Sequence, residues 1–174
     1  MKDATKLINS TVFYDTTLKM INPPTYHGST VLFQKYEDMR SAAIGKYDGI
    51  SYGTDRLPTQ RLFEESIKTL EGGFLTRAFQ SGISAIIHTL LAFTKSGDHI
   101  LVCDNVYGPT ARFCRKILSK YNIEVSFYPS PIGSDIFEYF KDNTRLIFLE
   151  SPGSNTFEIP DIPLITALAR ERQI

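Results

Sequence analysis

The sequence predicts an α/β fold, with a mainly parallel sheet and helices on both of its faces. From Pro58 onward, short apolar runs alternate with stretches of helical periodicity, which is the pattern of repeated βαβ units. Polar or glycine-containing turns follow three of the runs. In open α/β sheets, turns at the carboxyl ends of the strands form the ligand sites.

Composition narrows the class of protein. The 174 residues suffice for one domain with a core, and 42% hydrophobic content is typical of soluble globular proteins. Because 19 basic residues balance 19 acidic ones, we expect neither nucleic acid nor an anionic membrane as a partner. No membrane-length apolar run and no secretory h-region is present, so the cytoplasm is the expected location. The two cysteines and three histidines lack metal-ligand spacing, which argues against a metal site.

Residues 1–56 differ from the rest of the chain and are interpreted as an N-terminal arm. They contain Pro23-Pro24 and a single short helical candidate, residues 36–44. Such a weakly periodic segment cannot bury itself alone, so it is either an arm packed on another subunit or a disordered tail. Its aromatic content favours the arm. The aromatic residues are Phe13, Tyr14, Tyr26, Phe33, Tyr36, Tyr47 and Tyr52.

Residues 57–174 are predicted to form an incomplete large domain. Its first helix covers residues 59–70, with Thr59 as the cap and Gly72-Gly73 as the end. The other predicted elements are strands at 74–79, 99–103, 123–128 and 145–149, and helices at 82–94, 110–121, 134–140 and 161–172.

The turn Ser81-Gly82-Ile83 is a candidate phosphate site. The first turn of a helix has free backbone N–H groups at the positive end of the helix dipole, and glycine lets an anion approach them closely. The same residues also fit a purely structural role, in which Ser81 caps the helix and Gly82 permits a tight turn.

Two further turns carry candidate site residues. Tyr107 follows the strand at 99–103 and is either half-buried in the core or stacked on an aromatic ligand. Glu150 follows the strand at 145–149 and either holds loop backbones together or faces the site, and the structural role is favoured for a single carboxylate. The lysines fall in the arm, on helices or at helix ends. None lies where a desolvated amine with a lowered pKa is expected.

Several motifs, taken in order, resemble the Cys/Met-metabolism family of pyridoxal-phosphate (PLP) enzymes. Each motif is weak alone, but the ordered series is specific and covers nearly the whole chain. The motifs are, in order, Tyr52-Gly53, Pro58-Thr59, Leu70-Glu71-Gly72-Gly73, Ser81-Gly82, Gly97-Asp98-His99, Tyr107-Gly108-Pro109-Thr110, Phe113-Cys114, Ile117-Leu118, Pro131-Ile132-Gly133, Glu150-Ser151-Pro152-Gly153-Ser154, Phe157-Glu158 and Asp161-Ile162-Pro163. The glycine after Tyr52 and the Ser-Pro-Gly-Ser turn resemble the β-lyase branch. The resemblance implies a truncated fold-type-I large domain, similar to that of aspartate aminotransferase.

The resemblance also implies roles for individual residues, with PLP as the cofactor. Ser81 and the backbone of Gly82 and Ile83 would bind the cofactor phosphate. Tyr107 would stack on the pyridine ring and is the candidate catalytic residue. Tyr52 would reach the phosphate of a neighbouring subunit's cofactor. The family has an arginine two residues after this tyrosine, where this chain has threonine, and Arg56 is the candidate replacement.

The reaction implied by the resemblance is cleavage of L-cystathionine to homocysteine, pyruvate and ammonia, a step of methionine biosynthesis, by a homotetramer built from dimers. The family's aspartate to the pyridine nitrogen and its Schiff-base lysine lie beyond Ile174, so we expect these 174 residues alone to be inactive. Two alternatives stay open: another trans-sulfuration enzyme, such as a methionine γ-lyase or a cystathionine γ-synthase, and a truncated, non-catalytic binding or oligomerisation module.

Overall fold

A computed structural model describes residues 24–55 and 57–174. The chain divides into two compact units, Met1–Ala78 and Phe79–Ile174. The described part of the first unit contains two α-helices. The second unit contains the sheet and the remaining helices.

The helices of the first unit are α1 (Tyr36–Ala43) and α2 (Pro58–Glu71). The first lies where the sequence predicts it. The second begins one residue earlier than predicted because Pro58, with its fixed φ, occupies the first helical position. The prediction that Thr59 caps this helix is therefore wrong, and its hydroxyl instead donates to the Pro24 carbonyl oxygen at 3.2 Å. Gly72 ends the helix as predicted, in the left-handed conformation with φ 62°.

The predicted strand at residues 74–79 does not form. Phe74 is 98% exposed, and the Ala78 N–H donates to the Glu64 carboxylate at 2.9 Å rather than to a neighbouring strand. The apolar composition of this run led to the prediction. Composition cannot provide the hydrogen-bonding neighbour that a strand requires, and none of the described residues pairs with it.

The second unit is built on three parallel strands, β1 (His99–Cys103), β2 (Glu124–Tyr128) and β3 (Thr144–Phe148), in the order β2-β1-β3. These strands lie within a residue of the predicted ones. Every residue of β1 is buried. Successive side chains of a strand point to opposite faces of the sheet, so both faces of β1 are covered.

The helices of the second unit fill the connections between strands. They are α3 (Gly82–Phe93), α4 (Gly108–Lys116), a 3-10 helix Leu118–Tyr121, a second 3-10 helix Gly133–Tyr139, and α5 (Ile162–Glu171). Two predictions need correction. The single helix predicted at 110–121 breaks at Ile117, where φ is −109°, and ends at Asn122 in the left-handed region. The helix predicted at 134–140 is a 3-10 helix, the form common in short connectors.

The core lies between the sheet and these helices. Leu90 of α3, Leu101 of β1 and Leu118 are fully buried, and Ile165 of α5 is 1% exposed. Burying a side chain of this size stabilises the fold by about 1.5–3 kcal/mol relative to exposure. The two cysteines, Cys103 and Cys114, also belong to this core.

A buried histidine joins all three strands at their amino-terminal end. His99 is fully buried, with Nδ1 2.8 Å from Thr144 Oγ1 and Nε2 2.9 Å from Ser126 Oγ. Burial lowers the pKa of His99, the positive charge of Lys141 lowers it further, and Glu124 opposes the shift. The neutral ring therefore acts as a polar cross-link within the sheet.

Candidate functional site

The carboxyl-terminal ends of β1 and β3 and the amino terminus of α3 border one open cleft of about 680 Å³. Ser81, Gly82 and Ile83 line it from α3, Tyr107 lines it from the turn after β1, and residues 148–151 line it from the end of β3. The three turns that the sequence singles out thus meet at one place. This is the edge of the sheet where open α/β folds bind ligands.

The amino terminus of α3 presents free donors to the cleft. The Ser81 side chain caps the helix by accepting from the Ser84 N–H at 3.2 Å. No group in the described ranges accepts from the N–H of Gly82 or Ile83. The positive end of the helix dipole lies at the same point. Together these features favour an anion.

The structure separates the two sequence-based explanations of Gly82. Its backbone is helical and outside the left-handed region, so its conformation does not require glycine. A Cβ added there would meet no protein atom within 4 Å. Neither a left-handed turn nor close protein packing therefore requires glycine at this position.

Tyr107 is presented by a turn that is tied to the end of β3. Its side chain is 46% exposed and lines the cleft, so it is not a core residue. Its backbone N–H donates to Glu150 Oε2 at 3.0 Å. Glu150 therefore holds two loop backbones together, which is the role that the sequence favours, and it also lines the cleft.

The turn after β1 is joined to the loops that follow both neighbouring strands. On the β2 side, the Ser130 N–H donates to Asp104 Oδ1 at 3.0 Å. On the β3 side, Asn105 Nδ2 donates to Glu158 Oε2 at 2.9 Å, and the Asn105 carbonyl oxygen accepts from the Ser154 N–H at 2.8 Å. The turn that carries Tyr107 is thus held from both sides.

Gly153 allows the β3 loop to approach this turn closely. A Cβ at Gly153 would overlap the side-chain amide of Asn105 and lie 3.2 Å from Glu158 Oε2. The Gly153 N–H donates to the Glu158 carbonyl oxygen at 2.9 Å. Sequence reasoning assigned no site role to Asn105 and Glu158, because their separation of 53 positions leaves no local spacing signal.

Positive potential in the cleft comes from the helix terminus. Within the described part of the second unit, the only charged side chain that lines the cleft is the Glu150 carboxylate, and no lysine does so. Burial raises the pKa of Cys103 and of Cys114 to about 11 each, so neither thiol is a nucleophile near neutral pH. Hydrogen bonds from Thr156 and Asn105 lower the pKa of Glu158, which stays ionised.

The two remaining predicted site residues, Tyr52 and Arg56, belong to the first unit. Tyr52 is 49% exposed and forms an isolated antiparallel bridge with Thr30. Next to it, the Gly53 N–H donates to the Ser29 carbonyl oxygen at 2.6 Å. Arg56 lies outside the described residues. The roles of Tyr52 and Arg56 toward a cofactor stay predictions.

Comparisons with known proteins agree on one family. The family model described as "Cys/Met metabolism PLP-dependent enzyme" matches residues 4–174. A cystathionine beta-lyase of Salmonella typhimurium is 36% identical over 167 residues, covering 95% of this chain and 42% of that protein. An L-alanine/L-glutamate racemase of Wolbachia pipientis is 35% identical over 184 residues, covering 100% of this chain and 45% of that protein.

Among solved structures, a cystathionine gamma-lyase of Lactobacillus plantarum, complexed with L-serine, superposes with a TM-score of 0.86 at 30% identity. The match covers 100% of this chain and 43% of that one. The chain spans less than half the length of the curated relatives it matches. In the ranges described, no helix has the length and apolar character needed to cross a membrane.

Proposed function

The chain belongs to the Cys/Met-metabolism family of PLP-dependent enzymes, and we propose that it forms the cofactor-binding, N-terminal part of a carbon–sulfur lyase that acts on L-cystathionine. The fold is part of a type I PLP-dependent domain, as the sequence predicts. PLP is the cofactor of the family. The activity, substrate and subunit partners of the whole protein are proposals.

The observation that carries the proposal is the meeting of a helix amino terminus and an exposed tyrosine ring in one cleft. The N–H groups of Gly82 and Ile83, with the hydroxyl of Ser81, would hold the cofactor phosphate. The ring of Tyr107 would lie against the flat face of the pyridine ring, an arrangement worth about 0.5–1.5 kcal/mol beyond area burial. Free backbone N–H groups beside an exposed aromatic ring suit a ligand that carries a phosphate on a flat ring.

The remaining residues of the cleft orient and shield the ligand. The cleft also has apolar surface beside the polar turns, provided by Ile86, Phe148 and Leu149. This surface would exclude water from the face of the pyridine ring that it covers. Glu150 fixes the backbone that carries Tyr107. Bound PLP supplies an electron sink for the carbanion formed at the substrate α-carbon. The chain's own contribution is therefore binding and orientation of that group.

We favour β-elimination because the Salmonella relative is named as a β-lyase and because the Ser-Pro-Gly-Ser turn resembles that branch. The glycine after Tyr52 supports this choice less strongly. A Cβ at Gly53 would overlap the backbone of Gly28, so local packing alone accounts for glycine at this position.

γ-Elimination is the second candidate, favoured by the similarity to the Lactobacillus gamma-lyase structure. The test is to incubate the full-length protein with PLP and L-cystathionine and to identify the keto acid. β-Elimination releases pyruvate and homocysteine, whereas γ-elimination releases 2-oxobutyrate and cysteine. Racemisation of alanine or glutamate without a keto acid would contradict both and would match the Wolbachia relative instead.

We also propose that the full-length protein is a homotetramer in which the first unit contacts a neighbouring subunit. The described part of this unit leaves apolar side chains exposed, among them Leu32 at 91%, Tyr36 at 65% and Ile44 at 66%. Large apolar side chains that are exposed in one subunit are the kind of surface that a subunit interface covers. Light scattering of the full-length protein would give the mass, and a monomer at micromolar concentration would contradict the proposal.

A further inference from the structure

The turn that presents Tyr107 is fixed in part by contacts between residues that do not line the cleft. We call the set Asn105, Gly153 and Glu158 the loop clasp. Asn105 donates to Glu158 at 2.9 Å, and Gly153 leaves room for that contact because any side chain there would overlap the Asn105 amide. None of the three residues lines the cleft.

We propose that Asn105 and Glu158 are positioning residues that hold the Tyr107 ring over the cofactor. This inference rests on the proposed cofactor site. It assigns to the loop clasp a role in cofactor geometry, beyond the stability of the fold.

The argument begins with the number of constraints on the turn. Val106 is 6% exposed and anchors the turn in the core. The residues on either side of it, Asn105 and Tyr107, are each bound to the loop after β3, by Glu158 and Glu150 respectively. One hydrogen bond would leave the turn free to rotate about that contact. One hydrogen bond on each side of a buried residue prevents the turn from rotating. The Tyr107 ring therefore stays at one height above the cleft.

Glu158 is the best position at which to test this inference. Glu150 lines the cleft, so changing it would alter the ligand's surroundings directly. Glu158 is outside the cleft, and its contacts run to Asn105 and to Thr156. An effect of Glu158 on the cofactor that disappears when the Tyr107 ring is removed must therefore pass through the turn. Glu158→Gln retains an acceptor oxygen for both donors, whereas Glu158→Ala removes it.

The first measurement needs no cofactor. Hydrogen exchange of the Tyr107 amide, followed in the full-length apoprotein, reports opening of the turn. We expect Glu158→Ala to speed this exchange about tenfold, the loss of roughly one hydrogen bond, and Glu158→Gln to leave it near the wild-type rate. Glu138→Ala, which removes an exposed carboxylate on the second 3-10 helix, is the matched control and should have no effect.

A double substitution tests whether Gly153 acts through Asn105. Gly153→Ala alone should speed the exchange because the new methyl group displaces the Asn105 amide. Asn105→Ala removes that amide, so the double variant should exchange no faster than Asn105→Ala alone. If Glu158→Ala does not fold, Asn105→Asp replaces it, since it sets two carboxylates against each other without removing side-chain volume.

The second measurement is on the holoenzyme and uses PLP itself. We expect Glu158→Ala to weaken PLP binding in equilibrium dialysis about three- to tenfold, the range of one aromatic contact, and to reduce the visible circular dichroism band of the bound cofactor. In a Tyr107→Ala background, the same substitution should cause no further change. Glu158→Gln should restore the wild-type band.

Each outcome decides the inference. Faster exchange together with unchanged PLP affinity and an unchanged dichroism band would overturn it, because the clasp would then be structural only. An equal effect of Glu158→Ala with and without the Tyr107 ring would also overturn it. A wild-type protein that binds no PLP would refute the proposed function and the positioning role with it. Hydrogen exchange of the Tyr107 amide needs no cofactor, so it would still show whether the loop clasp holds the turn in a protein that binds no PLP.

Discussion

Gly82 is the residue at which stability and ligand binding should respond in opposite directions. Its helical backbone accepts a side chain, and the space around its missing Cβ contains no protein atom within 4 Å. We therefore expect Gly82→Ala to leave the free energy of unfolding unchanged or to raise it by up to about 1 kcal/mol. PLP binding should weaken about tenfold or more, because the methyl group blocks charge-assisted hydrogen bonds to the phosphate. Urea unfolding and equilibrium dialysis measure the two quantities.

Gly108→Ala is the control for that experiment. Gly108 is also the first residue of its helix, α4, and a Cβ there likewise meets nothing within 4 Å. It does not line the cleft. Equal losses of PLP affinity in the two variants would mean that the Gly82 effect is not specific to the cleft.

The two cysteines are predicted to be inert in the folded protein. Cys103 and Cys114 are 2% and 1% exposed, and burial raises the pKa of each thiol to about 11. With an ordinary thiol pKa of about 8.5, the thiolate fraction at neutral pH falls roughly 300-fold. Alkylation by iodoacetamide near pH 8 should thus be at least two orders of magnitude slower than for a free thiol. Rapid labelling of either residue without unfolding would contradict this.

At the residue scale, the sequence reveals contacts that leave a local pattern. Ser81 and Gly82 can be recognised in the sequence as candidate site residues because a capping residue and a glycine stand at consecutive positions where a helix begins. Glu150 was interpreted correctly as a residue that holds loops together. The Asn105–Glu158 contact is invisible in the sequence because its partners are brought together only by parallel pairing of β1 and β3.

The sheet as an element depends on the buried side chain of His99. Its two ring nitrogens lie within hydrogen-bond distance of hydroxyls on β2 and β3, and burial of the ring disfavours its charged form. Its pKa is lowered in the folded state by burial and by Lys141. Glu124, the acidic group nearby, has its own pKa lowered by a hydrogen bond from Lys141 and remains charged as the histidine titrates.

We predict that folding stability falls as the pH falls through the ordinary histidine pKa. Above about pH 6.5 both folded and unfolded states hold a neutral ring. Below it the unfolded state binds a proton that the folded state resists, so stability is lost by at most about 1.4 kcal/mol per pH unit. Urea unfolding near pH 7.5 and near pH 5.5, on either side of about pH 6.5, measures the loss.

His99→Gln provides the comparison for the pH prediction. It should be less stable than wild type by about 1–3 kcal/mol at neutral pH, because buried hydroxyls lose their partner. Its loss of stability between the two pH values should be smaller than that of wild type. An equal pH dependence in both proteins would show that other groups cause it.

At the element scale, prediction succeeded where periodicity reflects burial. The strand β1 and the helices α3 and α5 each carry apolar residues that are buried in the fold. It failed at residues 74–79, where an apolar run lacks a pairing neighbour among the described residues. It also missed the break at Ile117, since helical periodicity does not reveal where an α-helix tightens into a 3-10 turn.

For the whole molecule, the exposed side of the sheet determines how the 174 residues behave by themselves. β3 pairs with β1 on one side, and no described residue pairs with its other side. Beside it lies an apolar groove of about 420 Å³ lined by Phe93, Leu146 and Ile165, among others. An uncovered strand edge next to apolar surface is a template for association.

We therefore predict that residues 1–174, expressed alone, bind the dye ANS and self-associate at micromolar concentration, whereas the full-length protein does neither. Size-exclusion chromatography and dye fluorescence measure both properties. Phe93→Lys should reduce them, because Phe93 is 63% exposed and lines the groove, and a charge there opposes association without emptying the core. A dye-free monomer of the 174 residues would contradict the prediction, since the edge of β3 and its groove would then have to be covered within the chain itself.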